Sequence, residues 1–220
     1  MRYKNVVKAV FRDRPNRFIA NVELDGRNET VHIKNTGRCR ELLIPGCSVI
    51  LAGSDNRKRK TRYDLVSVYK PSTGVLFNID SQAPNRIVKE YLENECSFDL
   101  IKPEHTYGGS RIDFYMEKGQ QKYLMEVKGC TLEIDGKGYF PDAPTERGAR
   151  HIRELIRAKR EGYNAIICFV IQMAGVTEVE ANRATDPSFA DALSEAKKEG
   201  VEILLLKTEV KEDSVTYIVP

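Results

Sequence analysis

The sequence predicts a mixed α/β protein, in which a small N-terminal β-barrel precedes a larger α/β domain. Five short runs of strand-forming residues fill the first part of the chain. Behind them come a strand hairpin, an amphipathic helix and a continuous apolar run, which is the order of a β-β-α-β core. We place the boundary after residue 82, so that the predicted domains are 1–82 and 83–220.

The predicted barrel consists of short strands separated by turn residues. Asp25-Gly26 marks a hairpin turn, and Pro45-Gly46 marks another turn. Five short strands favour a barrel of OB type, a fold that commonly binds single strands or oligonucleotides. The predicted strands are 4–12, 17–24, 29–34, 47–52 and 62–69.

Basic residues are concentrated in this first part of the chain. Residues 1–85 contain 16 Lys and Arg against 8 Asp and Glu, a net charge of +8, whereas residues 86–220 contain 19 against 24, a net charge of −5. Because basic side chains bind phosphates, the asymmetry favours a nucleic-acid partner, DNA before RNA. The basic run between the fourth and fifth strands, taken alone, fits a solvated loop equally well. The predicted nucleic-acid contacts in this half are Arg38, Arg57, Lys58, Arg59, Lys60 and Arg62.

The most informative element is a predicted hairpin over residues 111–116 and 122–128. Both runs alternate apolar and polar residues, which indicates half-buried strands. A two-residue turn at Gly119-Gln120 suits a type II′ hairpin, which takes glycine first. Paired residues then have numbers that sum to 239, so that Asp113 lies opposite Glu126.

This register predicts one apolar face and one face that carries Asp113, Glu126 and Lys128. Directly opposed residues have Cβ atoms roughly 4.5–5.5 Å apart, so two carboxylates can share a hard cation such as Mg²⁺ or Mn²⁺. We expect the Val127 carbonyl to be a third ligand and Lys128 to serve the water that attacks a phosphodiester. The pattern is that of a PD-(D/E)xK nuclease site. Taken alone, it also fits the solvated face of an ordinary hairpin.

The residues after the hairpin complete the core. A Gly-rich loop over 135–138 leads to a helix over about 146–161, whose apolar residues recur at helical spacing. The continuous apolar run over 165–171 fits a strand that is buried on both faces. Hairpin, helix and buried strand form the β-β-α-β core on which restriction-endonuclease-like sites are built, and we predict a domain of that kind.

Two more helices and a last strand are predicted outside this core. A helix over about 85–95 follows the barrel, and in this nuclease class such a helix sometimes supplies an extra acidic ligand. Glu90 is the accessory candidate, with a solvated helix face as the alternative. Asp186-Pro187 begins a last helix that ends at Gly200, and Val201–Leu206 is another buried strand.

Three basic or titratable residues around the hairpin and the helix that follows it complete the predicted contacts to nucleic acid. Arg147 and His151 are four residues apart on one helix face and are placed to contact the scissile strand, although a plain amphipathic helix with a basic outer face explains them as well. Arg111 lies in the hairpin. Gln172, at the end of the buried strand, either reaches the site or caps the strand.

The composition excludes several classes of protein. The 5 cysteines are scattered without a C-x-x-C pair, so we expect neither a disulfide framework nor a zinc site, and a reducing cytoplasm is the expected location. There is no signal-peptide pattern, and no apolar run reaches the roughly 18–20 residues of a membrane span. We therefore expect no membrane partner.

A set of segments, in order along nearly the whole chain, carries a family resemblance. They are Asn35-Thr36-Gly37, Pro84-Asn85-Arg86, Ser110–Phe114, Glu126-Val127-Lys128, Phe140–Ala143, Thr145–Gly148 with His151, Phe169–Gln172 and Asp186-Pro187. Together they resemble the sugar fermentation stimulation protein A family. The resemblance implies an OB-like barrel joined to a PD-(D/E)xK nuclease-like domain, DNA binding without strong sequence preference, and nuclease activity.

We therefore predict a nucleic-acid-binding, Mg²⁺- or Mn²⁺-dependent nuclease with little sequence specificity. The alternative is a non-catalytic DNA-binding regulator of sugar-metabolism genes that keeps the nuclease fold without using it. A structural or adaptor protein is a third hypothesis, and it predicts no salt-sensitive binding of polyanions. The sequence leaves the oligomeric state open, a dimer included.

Overall fold

The N-terminal part of the molecule is a closed β-barrel, as the sequence predicts. The computed structural model describes residues 1–35, 37–54, 56 and 58–219. The barrel strands are β1 (Val6–Asn16), β2 (Ile19–Leu24), β3 (Arg27–Ile33), β4 (Ser48–Gly53), β5 (Tyr63–Tyr69) and the short, unpredicted β6 (Leu76–Asn78). Their order is β3-β2-β1-β4-β5-β6, and a parallel pairing of β3 with β5 closes the barrel.

Local chemistry accounts for the turns of the barrel. Asp25 and Gly26 both have positive φ, 51° and 73°, which is the backbone of a type I′ turn, and β2 pairs antiparallel with β3 across it. Gly46 has φ 92° between Pro45 and β4. Glycine takes these angles without a steric cost, so the predicted turns form where they were expected.

The second part is an α/β domain built on a six-stranded mixed sheet. Its elements are α1 (Ala83–Glu95), β7 (Leu100–Tyr107), β8 (Ser110–Lys118), β9 (Gln121–Cys130), β10 (Leu132–Ile134), β11 (Lys137–Phe140), α2 (Glu146–Arg160), β12 (Asn164–Ile171), β13 (Val179–Ala181), α3 (Pro187–Lys198), β14 (Glu202–Val210) and β15 (Val215–Tyr217). The main sheet has the order β15-β14-β12-β9-β8-β7, and β12 runs parallel to β9. The predicted β-β-α-β core is therefore β8, β9, α2 and β12.

The predicted register of the central hairpin is confirmed from the turn as far as Phe114, but the predicted pair of Asp113 with Glu126 is not part of the ladder. Phe114 pairs with Met125, and the ladder continues to Lys118 opposite Gln121, so that every pair sums to 239. Gly119 has φ 58° while Gln120 is not among the residues with positive φ, as a type II′ turn requires.

Both faces of this hairpin are covered, which corrects the prediction of a single apolar face. Phe114 and Met125 pack with α1 in one apolar cluster. Tyr115 and Leu124 pack with α2 and α3 in another, where Ile112 also lies. The hairpin is central in the sheet and helices cover both sides, so polar residues on β8 and β9 are held in an apolar surrounding.

Two further predictions need correction. The Gly-rich segment 135–138 is a β-hairpin between β10 and β11, with Asp135 and Gly136 at positive φ in its turn. The last predicted strand, β14, is only partly buried, because it lies near the sheet edge beside the short β15.

The barrel and the α/β domain share a core. Ile171, Met173 and Val176, which follow from β12, pack among the buried residues of the barrel. Gln172 lies between them, and its Nε2 donates to the Asn78 carbonyl and to Asn78 Oδ1 at 3.1 and 2.9 Å. The position of the barrel over the sheet is thus fixed by apolar packing and by buried hydrogen bonds.

The cysteines and the helices were compared with the requirements of disulfide bonds and of membrane spans. All 5 cysteines are free, and four of them are buried. Among the described residues, none of the helices combines the length and apolar character needed to span a membrane.

Candidate metal centre and its cleft

Asp113 lies where the β8–β9 ladder ends. The last ladder pair is Phe114 with Met125. Beyond it, Asp113 Oδ2 accepts the backbone N–H of Val127 at 2.8 Å, so that a side chain replaces a strand partner. Asn85, in the first turn of α1, donates from Nδ2 to Asp113 Oδ1 at 2.8 Å. The sequence interpretation missed Asn85 as a site residue, although it belongs to the Pro84-Asn85-Arg86 segment of the family resemblance.

Glu126 is the buried member of the pair, with 3% of its surface exposed. Its Oε1 accepts two hydrogen bonds, from Lys128 Nζ at 2.6 Å and from His151 Nδ1 at 2.5 Å. Its Oε2 is buried and has no hydrogen-bond partner within the part of the chain that the structure describes. A buried carboxylate oxygen without a donor is costly, because it has lost its water without a replacement.

The two carboxylates have pKa values that are displaced in opposite directions. Burial raises the pKa of Asp113, and repulsion from Glu126 raises it further, against the Val127 N–H and Lys128. Burial also raises the pKa of Glu126, but Lys128 and His151 together outweigh it and hold that pKa below its usual value. The site therefore keeps Glu126 ionised and penalises a second negative charge at Asp113.

The residues fit a hard divalent cation that keeps part of its water shell. Within residues 1–35, 37–54, 56 and 58–219, no group of three or more His, Cys, Asp and Glu side chains could hold a metal ion. The donor set of the site consists of oxygens from two carboxylates, and one of these oxygens, Glu126 Oε2, lacks a partner. Mg²⁺ is commonly bound by only one or two carboxylates together with waters.

His151 is not placed to contact nucleic acid, which corrects that prediction. Its side chain is 3% exposed, and Nδ1 contacts Glu126. Arg147, one turn earlier on α2, is exposed, and its Nε donates to His151 Nε2 at 3.3 Å. If the imidazole is neutral, this bond places its proton on Nδ1, so that His151 donates to Glu126. The spacing of four predicted the shared face correctly, but it could not indicate which face was buried.

A cleft of about 560 Å³ lies between the barrel and the α/β domain, and its lining includes residues that bond to the two carboxylates. Lys128, Val127 and Asn85 line it from below, and the predicted contact Arg38 lines it from the barrel. Gln172, which the sequence suggested as an accessory residue of the site, also lines the cleft. Its side chain donates to Asn78 of the barrel. Sequence reasoning missed Arg17, which lines the same wall.

The basic run lies at a different place. Lys58, Lys60 and Arg62 are exposed beside a second pocket of about 420 Å³, which Arg59 and Arg62 help to line. Arg59 forms an ion pair with Asp64, with 2.5 Å between Nη2 and Oδ1. Its guanidinium is therefore engaged in stabilising the barrel. Arg57 lies outside the described residues.

Two other predicted residues are also away from the carboxylates. Glu90 Oε2 accepts a hydrogen bond from the Met1 amino group at 2.8 Å, and this amino group also donates to the carbonyl of Val215. Glu90 is therefore paired with the N-terminus, and Asn85 is the α1 residue that contacts Asp113. Arg111 is exposed, with Glu104 3.6 Å away.

Comparisons with known proteins agree with this architecture. A family model described as the SfsA N-terminal OB domain matches residues 13–77, and one described as the sugar fermentation stimulation protein RE domain matches residues 82–214. A sugar fermentation stimulation protein homolog from Desulfitobacterium hafniense (strain DSM 10664 / DCB-2) is 51% identical over 217 residues, covering 98% of this chain and 94% of that protein. The homolog from Ruminiclostridium cellulolyticum is 51% identical over 215 residues, covering 96% and 94%.

A solved structure gives the same result in three dimensions. The structure described as Pyrococcus furiosus SfsA in complex with Ca²⁺ is similar with a TM-score of 0.87 and 31% identity, covering 99% of this chain and 95% of that one. Both domain models match in order, and the similarity to relatives extends over almost the full length of the chain. The chain belongs to the sugar fermentation stimulation protein family.

Proposed function

We propose that this protein is a metal-dependent phosphodiesterase that hydrolyses nucleic acid with little sequence preference. The observation that carries the proposal is the unpartnered Oε2 of Glu126, buried beside Asp113. An ordinary structural carboxylate has donors at both oxygens. Here Lys128 donates to Oε1 of Glu126, and Oε2 has no donor. A cation bound between the two carboxylates would satisfy Oε2 and offset the repulsion that raises the pKa of Asp113.

Each residue of the site has a distinct role in this proposal. Asp113 and Glu126 hold Mg²⁺ or Mn²⁺, with the Val127 carbonyl as a further ligand. The bound cation would polarise a phosphodiester oxygen and lower the pKa of a bound water. Lys128 places an ammonium at the cleft floor, where it orients the attacking water and offsets charge that develops on the phosphate.

The surroundings of the site suit a nucleic-acid substrate. Arg17 and Arg38 lie on the barrel wall of the cleft, and such residues bind phosphates without reading sequence. We propose DNA as the principal partner, with RNA as an arm of the test. The similar Pyrococcus furiosus protein is described as a Ca²⁺ complex, and Ca²⁺ is likewise a hard cation that takes oxygen ligands.

The test is cleavage of labelled single- and double-stranded DNA and RNA with Mg²⁺ or Mn²⁺, compared with a chelated sample. We expect Asp113→Asn and Lys128→Ala each to lower the rate by about a hundredfold or more, since single groups that stabilise transition-state charge contribute that much. Glu93→Gln on the exposed side of α1 is the matched control and should cleave as the wild type does. Equal rates in all variants would place the chemistry elsewhere.

The non-catalytic DNA-binding regulator makes a different prediction. It requires no metal, and it gains nothing from two adjacent carboxylates that face a polyanion. If DNA binds with a steep salt dependence, yet no substrate is cut with any of the cations, the regulator hypothesis is the better one.

A further inference from the structure

We propose that the cleft between the barrel and the α/β domain admits a single nucleic-acid strand and excludes an intact duplex. This inference rests on the proposed function, because it concerns the substrate of the same site. Four observations carry it: the walls are fixed, the space is small, the barrel wall offers basic groups, and residues of the cleft lining bond to the two carboxylates.

The walls of the cleft are held in place by buried contacts between the two parts. Ile171 and Met173 belong to the core of the barrel although they follow from the central sheet. The backbone N–H of Asn78 donates to the Gln172 carbonyl at 3.0 Å, and Gln172 Nε2 donates back to the Asn78 carbonyl at 3.1 Å. Because interiors are close-packed, separating the walls to admit a wider ligand would break this core.

The space between these walls is small. A volume of about 560 Å³ is in the range of small-molecule pockets, roughly 300–1,000 Å³. A Cβ added at Gly37 on the barrel side would lie 2.3 Å from Asp142 Oδ2, so the two walls are in contact there. A few nucleotides of one strand fit such a space, whereas a double helix would have to remain outside it.

The barrel segments that line the cleft are held together by hydrogen bonds from Arg14. Arg14 donates four hydrogen bonds to backbone carbonyls, which belong to Arg17, Asn35, Gly37 and Arg38. It thereby joins the β1–β2 turn to the loop after β3. Arg17 and Arg38, which lie on these two segments, are part of the cleft lining. Phe18, which follows Arg17 in the chain, lies outside the lining and is 51% exposed. Phosphate-binding cations next to an exposed aromatic ring form the usual surface for single strands.

Two residues of the cleft lining connect the cleft to the carboxylates. Lys128 and Asn85 line the floor, and each bonds to one of the two carboxylates, at 2.6 and 2.8 Å. Glu126 itself is buried beneath them. In this proposal a phosphate approaches the carboxylates through the cleft, past Lys128 and Asn85, and a strand that is paired along its length does not enter.

The first test is binding, measured by fluorescence anisotropy with chelator present so that no cleavage occurs. The probes are a mixed-sequence labelled oligonucleotide and the same oligonucleotide annealed to its complement. We expect the single strand to bind at least about fivefold more tightly than the duplex, since stacking of one base on an aromatic side chain accounts for that factor. Equal or tighter binding of the duplex overturns the proposal.

Variants locate the strand. Arg17→Ala and Arg38→Ala should each lower the slope of log affinity against log salt by about 0.7, because each removes a cation from the cleft lining. Arg40→Ala is the matched control, because Arg40 is exposed in the same loop and is not part of the cleft lining. If Arg40→Ala weakens binding as much as Arg38→Ala does, the strand is attracted by general charge and the cleft is not its site.

The second test is cleavage with Mn²⁺ of the single strand, the duplex, and a duplex with a single-stranded overhang. We expect the single strand and the overhang to be cut and the paired interior to stay intact. Cutting of the paired interior at the rate of the single strand overturns this inference while the proposed function stands. If nothing is cut but the binding preference and the variant effects hold, the proposed function fails and the single-strand cleft stands.

Discussion

Two buried carboxylate sites in this molecule are built on opposite principles. In the barrel, Asp64 on β5 has partners at both oxygens: His32 Nδ1 lies 3.0 Å from Oδ1, Lys34 Nζ lies 2.9 Å from Oδ2, and Arg59 contacts both oxygens. In the α/β domain, Glu126 has its donors on one oxygen only, and a second carboxylate, Asp113, lies beside it.

The pKa values express this difference. Burial raises the pKa of Asp64, but the bonds from Arg59, Lys34 and His32 outweigh it and hold the pKa well below its usual range. Burial and the neighbouring Glu126 instead raise the pKa of Asp113. A satisfied carboxylate stabilises the fold, whereas a pair of carboxylates with too little positive charge suits the cation that we propose for this site.

The largest expected effect is on Asp64. Asp64→Asn should lower the free energy of unfolding by about 2–3 kcal/mol at neutral pH, because hydrogen bonds to charged groups contribute roughly 1.5–3 kcal/mol each and two cations, Lys34 and Arg59, lose their partner. Chemical denaturation measures the change. The control is Glu23→Gln, which removes an exposed ion pair with Arg12 and should cost less than about 1 kcal/mol. Similar costs for both variants would mean that the barrel cluster is not a special stabilising site.

Acid should remove the same contribution. The pKa of Asp64 in the folded protein is lower than its value of about 3.9 in the unfolded chain. Its stabilising contribution is therefore present above about pH 4 and is lost as the pH falls through the lower folded value. The stability gap between wild type and Asp64→Asn should stay constant near neutrality and narrow below about pH 4, as followed by denaturation at stepped pH. A gap that narrows already at neutral pH would contradict the assignment to Asp64.

The next effect concerns His151 as a positioning residue for Glu126. His151→Leu should weaken Mn²⁺ binding by about 10- to 100-fold, or about 1.4–2.8 kcal/mol, which is typical for loss of a group that orients a metal ligand. Titration calorimetry measures it without any turnover. His151→Asn keeps a donor near the position of Nδ1 and should retain more affinity than His151→Leu. Wild-type affinity in the Leu variant would reduce His151 to a packing residue.

The smallest effect has the opposite sign. Asp113→Asn should stabilise the metal-free protein by about 0.5–2 kcal/mol, as is common when a functional site is relieved of strain. The pKa of Asp113 is raised, so its ionised form costs stability above that pKa, and the advantage of the variant should vanish below about pH 4. Thermal unfolding in chelator at neutral and acid pH measures both. A loss of stability at neutral pH would show that Asp113 is held as a satisfied structural acid.

Predictions from local pattern and chemistry were largely successful. The alternating runs and Gly119 determined the register of the central hairpin, since turn type fixes which residues are paired. Asp186 begins α3 with its side chain accepting the N–H of Phe189, as its place before Pro187 indicates. Such features depend on a few neighbouring residues, and the sequence displays those directly.

Predictions that depended on burial or on distant partners were less successful. The sequence pattern suggested that His151 lies on the surface and contacts nucleic acid, but His151 is buried and bonds to Glu126. Glu90 was suggested as an accessory acidic ligand, and it pairs with the N-terminus. Arg59 looked like a phosphate contact and is paired with Asp64. Periodicity identifies which residues share a face, but not what lies against that face.

The sequence by itself determined the barrel strands, the β-β-α-β order, the placement of Asp113 near Glu126 and the family. The tertiary structure alone decided that both faces of the hairpin are covered, that Asn85 and His151 bond to the carboxylates, and that Arg17 and Arg38 share a cleft with Asn85. The physical reason is range. Hydrogen-bonded turns and strand registers are fixed by residues close in sequence, whereas desolvation and charge at the site come from elements that meet only when the barrel packs onto the sheet.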